Sequence, residues 1–381
     1  MRGGGVRRDG RSRLGRHLPG RQAGGRRDAD RAMSVADRLP WPRRKESPAE
    51  EPAVSRRSVL AGGAGLALAA AGCGSPETLT VAADGSVTVR VLAFQAPSLG
   101  AFLPAVIKAR RIDLAHGVRI AFSYSTPDKY NTEFASGHYE IGASAALLSE
   151  ALRTERGIDV TYLFNIFDYF SAVVTSNPDV QHLTDLRGRK LAAATGTTNH
   201  AMFAWFAEQA GLDLDEVEMQ NQTPAGLSTM AIMGRTDGTE IWEPAYSSLR
   251  KRKPDIRSLD IGMPAWRAAF GTATIPYLGL AAHAGWARRH PDVVATLYRI
   301  YADAAAWTLA APAAAAKIIA AATPRGKAAT LQGLIEDRER LGLHVAPAAR
   351  MTGAIDAVFE AGRQTDYLAD TPPSTIVYRG L

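Results

Sequence analysis

The sequence predicts an α/β protein of two lobes, each a mostly parallel sheet flanked by helices, with a ligand cleft between them. Apolar, β-branched runs alternate with amphipathic stretches from Val87 to Trp242, the pattern of repeated β-α-β units. The alternation comes in two series separated by the turn Ser176-Asn177-Pro178, where helix and strand both stop. The length, 381 residues, exceeds what one hydrophobic core usually organises.

In order, Val87–Phe94 reads as a strand and Ala101–Arg110 as a helix whose apolar face is Phe102, Leu103, Val106 and Ile107. Val118–Tyr124 is a strand, Lys129–Ser136 a helix, Tyr139–Ala143 a strand, Ala145–Arg153 a helix and Val160–Asn165 a strand. The extended run Phe170–Thr175 leads to the second series. There Lys190–Ala194, Val217–Gln220 and Gly238–Trp242 are strands, and Asn199–Ala210 and Ala225–Gly234 are helices. Ala273–Ala282 is extended again, and from His283 the chain is helical in Asp292–Ala310, Ala313–Ala322, Ala328–Leu341 and Ala348–Gln364. Such a helical tail must pack on one of the sheets. The first lobe is then 87–174 with 277–381 and the second 175–276, the chain crossing near 172–178 and returning near 272–279. Ligands of such sheets bind at the carboxyl ends of the strands.

The net charge of +7 does not describe the folded part. Residues 1–72 hold 16 basic and 7 acidic side chains, net +9, which leaves 73–381 with 29 and 31, net −2. A nucleic-acid partner is therefore not expected, and the basicity belongs to a leader. Residues 1–54 are Arg- and Gly-rich without apolar periodicity and predict a disordered leader; Met33, where composition becomes ordinary, is an alternative translation start. Residues 55–72 have the parts of an export signal, with the pair Arg56-Arg57, the apolar run Val59–Gly72 and small residues before Cys73. That run of 14 residues is short of the ~20 that span a bilayer. Ser55-Arg56-Arg57-Ser58-Val59-Leu60 resembles a twin-arginine export motif. Ala70-Ala71-Gly72-Cys73 resembles a bacterial lipobox, with Ala70 where Leu is favoured. A lipid on Cys73, the sole cysteine, would tether a chain of residues 73–381 through the polar segment 73–86 and leave the protein a soluble monomer.

Four segments in order resemble the solute-binding proteins of ABC importers, in the branch that binds aliphatic sulfonates, taurine, nitrate and thiamine pyrimidines. They are FASGHYEIGASAALL (134–148), LTDLRGRKLAAATGTTNH (183–200), the stretch from Met230 to Ile241-Trp242-Glu243-Pro244, and Trp286–Pro291. Glu140 stands where that family usually has Asp, and Thr236-Asp237-Gly238 departs from its pattern. The resemblance implies a type II periplasmic-binding fold, capture of a small organic or anionic solute, a membrane permease as partner, and location on the outer face of the cytoplasmic membrane.

Within that frame Thr195-Gly196-Thr197-Thr198-Asn199 is the leading candidate site. It lies between a predicted strand and helix, where free backbone N–H groups and the helix dipole favour an anionic or accepting group; plain helix capping is the alternative. Ser144 offers a similar donor in the first lobe, and Gln95 and Ser98 follow its first strand. Trp242 is a candidate for stacking and Glu243 for accepting from a ligand or recognising an amine, against packing and loop capping. His200 is a candidate anion donor or a structural histidine. The aromatics of Leu163–Phe170 read as core; facing the cleft with Tyr124 and Tyr246, they would suit a flat heteroaromatic solute.

The eight histidines are dispersed, with no HExxH or Cys/His cluster, so neither metal nor cofactor is expected. A phosphate loop and a G-x-S-x-G elbow are also absent. The sequence thus reads as a non-enzyme. The alternatives are a pyrimidine-synthase-like enzyme of thiamine biosynthesis, whose resembling group depends on a cysteine-rich motif not found here, and a binding module that feeds a sensor.

Overall fold

The computed structural model describes residues 78–83 and 87–381. The predicted leader, the export segment with Arg56 and Arg57, and Cys73 lie outside the described residues. The strands are β1 (Leu79–Val81), β2 (Val87–Phe94), β3 (Val118–Ser125), β4 (Ile141–Ala146), β5 (Val160–Asp168), β6 (Ala172–Thr175), β7 (Lys190–Ala193), β8 (Glu218–Asn221), β9 (Gly238–Ile241), β10 (Arg257–Leu259), β11 (Pro276–His283) and β12 (Leu343–Pro347). Helices α1 (Phe102–Arg110), α2 (Ile112–Ala115), α3 (Pro127–Ala135) and α4 (Leu147–Glu155) belong to the first half. The second series carries α5 (Thr198–Gln209), α6 (Pro224–Met233), α7 (Ala245–Arg252) and α8 (Met263–Phe270). The tail holds α9 (Ala284–Arg289), α10 (Pro291–Ala310), α11 (Pro312–Ala321), α12 (Ala328–Glu336), α13 (Arg338–Leu341) and α14 (Thr352–Gln364).

Two sheets result. The larger runs β1-β2-β4-β11-β5-β12, with β3 on β2, and the smaller runs β10-β6-β9-β7-β8. Every predicted strand and helix is present to within a few residues. The β-α-β units pair in parallel as expected, β2 with β3 and β4, and β7 with β8 and β9. The returning strand β11 instead runs antiparallel to both β4 and β5, and β6 runs antiparallel to β9. Both sheets are therefore mixed where a mostly parallel arrangement was expected, because a strand that comes back from the other lobe enters from the opposite end.

Three further differences have local causes. Leu79–Val81, assigned to the tether, pairs antiparallel with Val87–Val89, since a short extended stretch beside a longer edge strand can satisfy its backbone there. Ala172–Thr175, assigned mainly to the first lobe, pairs in the second sheet, which puts the outward crossing at 169–171 and the return just before Pro276. In the tail, Gly342 ends α13 in the left-handed conformation, φ 60°, a glycine stop. The following Leu343–Pro347 then adds a strand to β5 inside a stretch read as helical.

The strand β5, buried on both faces except at Asp168, is central as a continuous apolar run should be. Beside it β11 comes unusually close. A Cβ on Gly279 would lie 2.3 Å from the Tyr162 ring and 2.4 Å from the Phe164 carbonyl, so only glycine fits.

One hydrophobic cluster crosses from lobe to lobe, joining Leu148, Tyr162 and Phe359 on the larger sheet's side to Trp205, Phe206 and Trp266 on the smaller. A second cluster on the other face of the larger sheet holds Phe164, Trp286, Ile300 and Tyr301 under the helical tail. Among the described residues no single helix is long and apolar enough to cross a membrane; α10 and α11 pass such a test only as a pair bent by 113°. Replacing Gly279→Ala should lower stability by about 3 kcal/mol, read as a drop in urea midpoint with unchanged slope; an unchanged midpoint would show that β5 and β11 can separate without cost.

Candidate functional site

The chain passes between the lobes at 169–171 and at 271–275, and the two crossings hold each other. Tyr169 N–H donates to the Ile275 carbonyl at 2.8 Å, and Asp168 N–H to that of Gly342 at 2.7 Å. Beside them Asn165, fully buried, donates through Nδ2 to Asp168 Oδ1 and to the His344 carbonyl, both at 2.9 Å. Its Oδ1 accepts from Tyr162 Oη at 2.9 Å and Tyr277 N–H at 3.2 Å. His344 Nδ1 meets Asp168 Oδ2 at 2.9 Å. Burial pushes the Asp168 carboxyl above the usual carboxylate range, against the pull of His344. The bond to Asp168 lifts the His344 imidazole above its usual 6.5.

The start of α5 abuts these crossings. Thr197 is its N-cap: Oγ1 accepts from His200 N–H at 3.3 Å and donates to the Ala194 carbonyl at 2.8 Å. That hydroxyl is spent on capping, as the blander sequence reading allowed. Thr195 N–H donates to Asn221 Oδ1 at 3.2 Å. Thr195 and Gly196 stay half-buried, while Thr198, Asn199 and His200 are buried. Asn199 reaches the first lobe, its Nδ2 donating to Tyr277 Oη at 2.6 Å, and its carbonyl accepts from Tyr169 Oη at 3.2 Å. His200 Nδ1 pairs at 2.9 Å with Oε2 of Glu240 on β9.

The other candidates are placed as follows. Ser144 is buried, and its Oγ accepts from Phe94 N–H at 2.9 Å, fixing the end of β2 against β4. Ser98 Oγ accepts from Gly100 N–H at 3.2 Å at the head of the short turn Leu99–Ala101, and Gln95 is exposed. Trp242 is half-buried and packs beside Ala192, Ala194 and Leu227. Glu243 is buried at the start of α7, accepting from Ser247 N–H at 3.1 Å and Ser247 Oγ at 2.8 Å, with Arg340 Nη1 of α13 at 3.6 Å. Burial raises its carboxyl above the usual range, opposed by Ser247 and then Arg340. Glu243 thus bonds the first turn of α7 and approaches Arg340 of α13. Phe164 and Phe167 are core, and Tyr169 stacks on Phe206 at 5.9 Å. Phe170 meets Tyr246 edge to face at 5.6 Å, and Tyr124 is 44% exposed.

A cavity of about 350 Å³ opens between α7 and the α12–α13 corner, lined by Tyr246, Ser247 and Arg250 on one side and Thr330, Leu334 and Arg340 on the other. The structure therefore places Thr195–His200 at the start of α5 beside the crossings, sets Trp242 and Glu243 after β9, and leaves Ser144 in the fold. The sequence reading passed over Glu240, Asn165, Tyr277, Arg340 and His344. For Glu240 there was a signal, a charged residue inside the predicted strand Gly238–Trp242, since such a residue is almost never fully buried without a partner. Among the described residues no group of three or more His, Cys, Asp or Glu is placed to hold a metal ion.

Two lobes on mixed sheets, tied by paired crossings with a helix start between them, define a periplasmic-binding-protein fold. The chain belongs to the NMT1/THI5-like family, whose pattern matches residues 116–315. Among solved structures it is similar to the periplasmic aliphatic sulphonate-binding protein SsuA of Escherichia coli, with TM-score 0.60 and 16% identity over 77% of this chain and 92% of that one. The alkanesulfonate-binding SsuA of Xanthomonas axonopodis pv. citri, solved with MOPS bound, gives TM-score 0.59 and 16% identity over 76% and 96%. These likenesses establish the fold. In sequence, an Escherichia coli K12 protein named as aliphatic-sulfonates-binding is 30% identical over 76 residues, 20% of this chain and 24% of that protein.

Because the His344 imidazole is raised, its contribution to stability is present below pH 6.5 and lost as pH rises through the higher folded value. The raised Asp168 carboxyl acts with the same sign. The urea midpoint should therefore fall as pH rises above 6.5, and His344→Gln should flatten that slope; an unchanged slope would remove His344 as its source.

Proposed function

We propose that this chain is the extracytoplasmic solute-binding lipoprotein of an ABC importer, capturing a small organic or anionic solute and delivering it to a permease. The observation that carries the reading is the start of α5. It presents a helix N-terminus beside the paired crossings, bonded through Asn199 to Tyr277 of the opposite lobe at 2.6 Å. A solute held by its first-turn N–H groups would touch both lobes at their junction. Differential affinity for the closed arrangement would then shift the population toward it.

The sulfonate-binding relatives and the fold of their structures support this reading over an enzyme or a sensor module. In its terms Thr195, Gly196, Thr198 and Asn199 are the contact residues, with Thr197 shaping the helix start and Trp242 forming the neighbouring wall. On this reading Gln95 and Ser98 would be the first-lobe contacts. The lobes are 87–171 with 276–381 and 172–275. Export through the Arg56-Arg57 signal and a lipid on Cys73 would hold the protein as a monomer on the outer face of the cytoplasmic membrane.

A saturating solute binds without turnover. At about a hundredfold its Kd it stabilises by about 2.7 kcal/mol, a rise in Tm of about 5 °C for a chain of this size. A thermal scan over sulfonates, nitrate, pyrimidines and amino-acid-like compounds checks this, and no shift with any of them would overturn the reading. In a host that processes the signal, Cys73→Ala should move the protein from the membrane to the soluble fraction, whereas continued membrane association would remove the lipid anchor.

A further inference from the structure

None of the residues given a solute contact above lines the cavity between α7 and the α12–α13 corner. Its two walls belong to different sheets: α7 follows β9 of the smaller one, whereas α12 and α13 precede β12 of the larger. On the α7 wall Tyr246 stands one turn from Arg250 and Ser247 one turn from Lys251, so that both cations share the helix face that lines the cavity. Arg250 donates through Nη1 to the Ile256 carbonyl at 3.1 Å, which fixes the guanidinium without neutralising it. Neither Arg250 nor Lys251 has a carboxylate within ion-pair distance among the described residues. Across from them Arg340 is shared between Asp337 Oδ2 at 2.5 Å from Nε and Glu243 Oε1 at 3.6 Å from Nη1.

Three cations and no carboxylate therefore line one cavity, in a chain whose residues 73–381 are net negative. The surplus rests on Arg250 and Lys251, since Arg340 already has counter-charges. Like charges around a shared, partly desolvated space repel, and an anion between them relieves the repulsion. The cavity, about 350 Å³, falls within the range of small-molecule sites and exceeds what a simple oxyanion fills. Tyr246 and Leu334 add apolar surface for a carbon body.

We propose that this cavity is a second binding site, separate from the α5 start, for an organic anion with two or more negative groups, such as a tricarboxylate or a phosphorylated acid. The proposal does not depend on the solute reading of the α5 start. A molecule that touches α7 on one side and α12 and α13 on the other favours the arrangement of the two halves that keeps these walls at their present spacing. By reciprocity, any ligand that alters the spacing alters the affinity of this site.

Titration calorimetry at fixed ionic strength tests it, with citrate and 3-phosphoglycerate as probes and acetate as the monovalent control. At least one probe should bind once per chain and about tenfold or more tightly than acetate. Lys251→Gln should weaken that binding about threefold, the scale of one exposed charge pair, and Arg250→Gln added to it about tenfold in all. A Cβ on Gly333 meets nothing within 4 Å, so Gly333→Glu keeps the fold while it brings a carboxylate to the opposite wall, and it should weaken binding about tenfold or more. Arg252→Gln removes the same charge from a residue of α7 that does not line the cavity, and should change binding by less than about twofold. Failure of both probes to bind, or binding no tighter than that of acetate, overturns the site. Binding left unchanged by Lys251→Gln and Gly333→Glu in folded variants overturns it too. So does an equal loss in Arg252→Gln and Lys251→Gln, since the attraction is then to surface charge at large. The thermal panel for the α5 start stands or falls separately from each of these results.

Discussion

The antiparallel pairing of β5 with β11 is the constraint on which the rest depends. One strand delivers the chain to the second lobe and the other receives it back, and they lie side by side over most of their length. Gly279 lets them approach within the thickness of the Tyr162 ring. Asn165, at the middle of β5, then satisfies Tyr162, Tyr277, Asp168 and the His344 carbonyl from a single amide. Because exit and entry are paired with each other, the start of α5 is held beside that shared seam.

The polar groups at the seam divide into two kinds. Those of Asn165, Ser144, Thr197 and Glu243 are matched by neighbours within the protein, and their role is to hold shape. Glu240 and Asn199 each keep a buried oxygen unmatched. In a folded protein such groups are exceptions that call for a reason, and these two sit where the fold leaves a helix start facing the opposite lobe.

Much of the architecture was legible because it rests on local periodicity. Val87–Phe94, Val118–Tyr124 and Lys190–Ala194 announce themselves as apolar runs, and the Thr-rich turn before α5 follows directly from the strand and helix around it. What was hidden depends on partners far along the chain. The strand character of Leu343–Pro347 comes from the edge offered by β5, some 180 residues earlier. The direction of β11 is set by the lobe it returns from. In the site, Thr197 and Glu243 carried two readings each, and only the positions of His200 and Ser247 show how their oxygens are used. Arg340 gave no hint of its reach to Glu243, since long-range ion pairs leave no trace in spacing.

The hydrophobic cluster that runs through both lobes also bears on how the molecule comes into being. Trp205 of α5 is bonded through Nε1 to Gln364 of α14 at 2.8 Å, and α14 closes over α5 and α4 together. All the strands of the smaller sheet lie in the chain before residue 260, yet the flank of α5 that α14 covers is completed only by the segment beginning at Thr352. The second lobe is therefore finished by the end of the polypeptide, and a shortened chain would lack a piece of the interior of both halves at once.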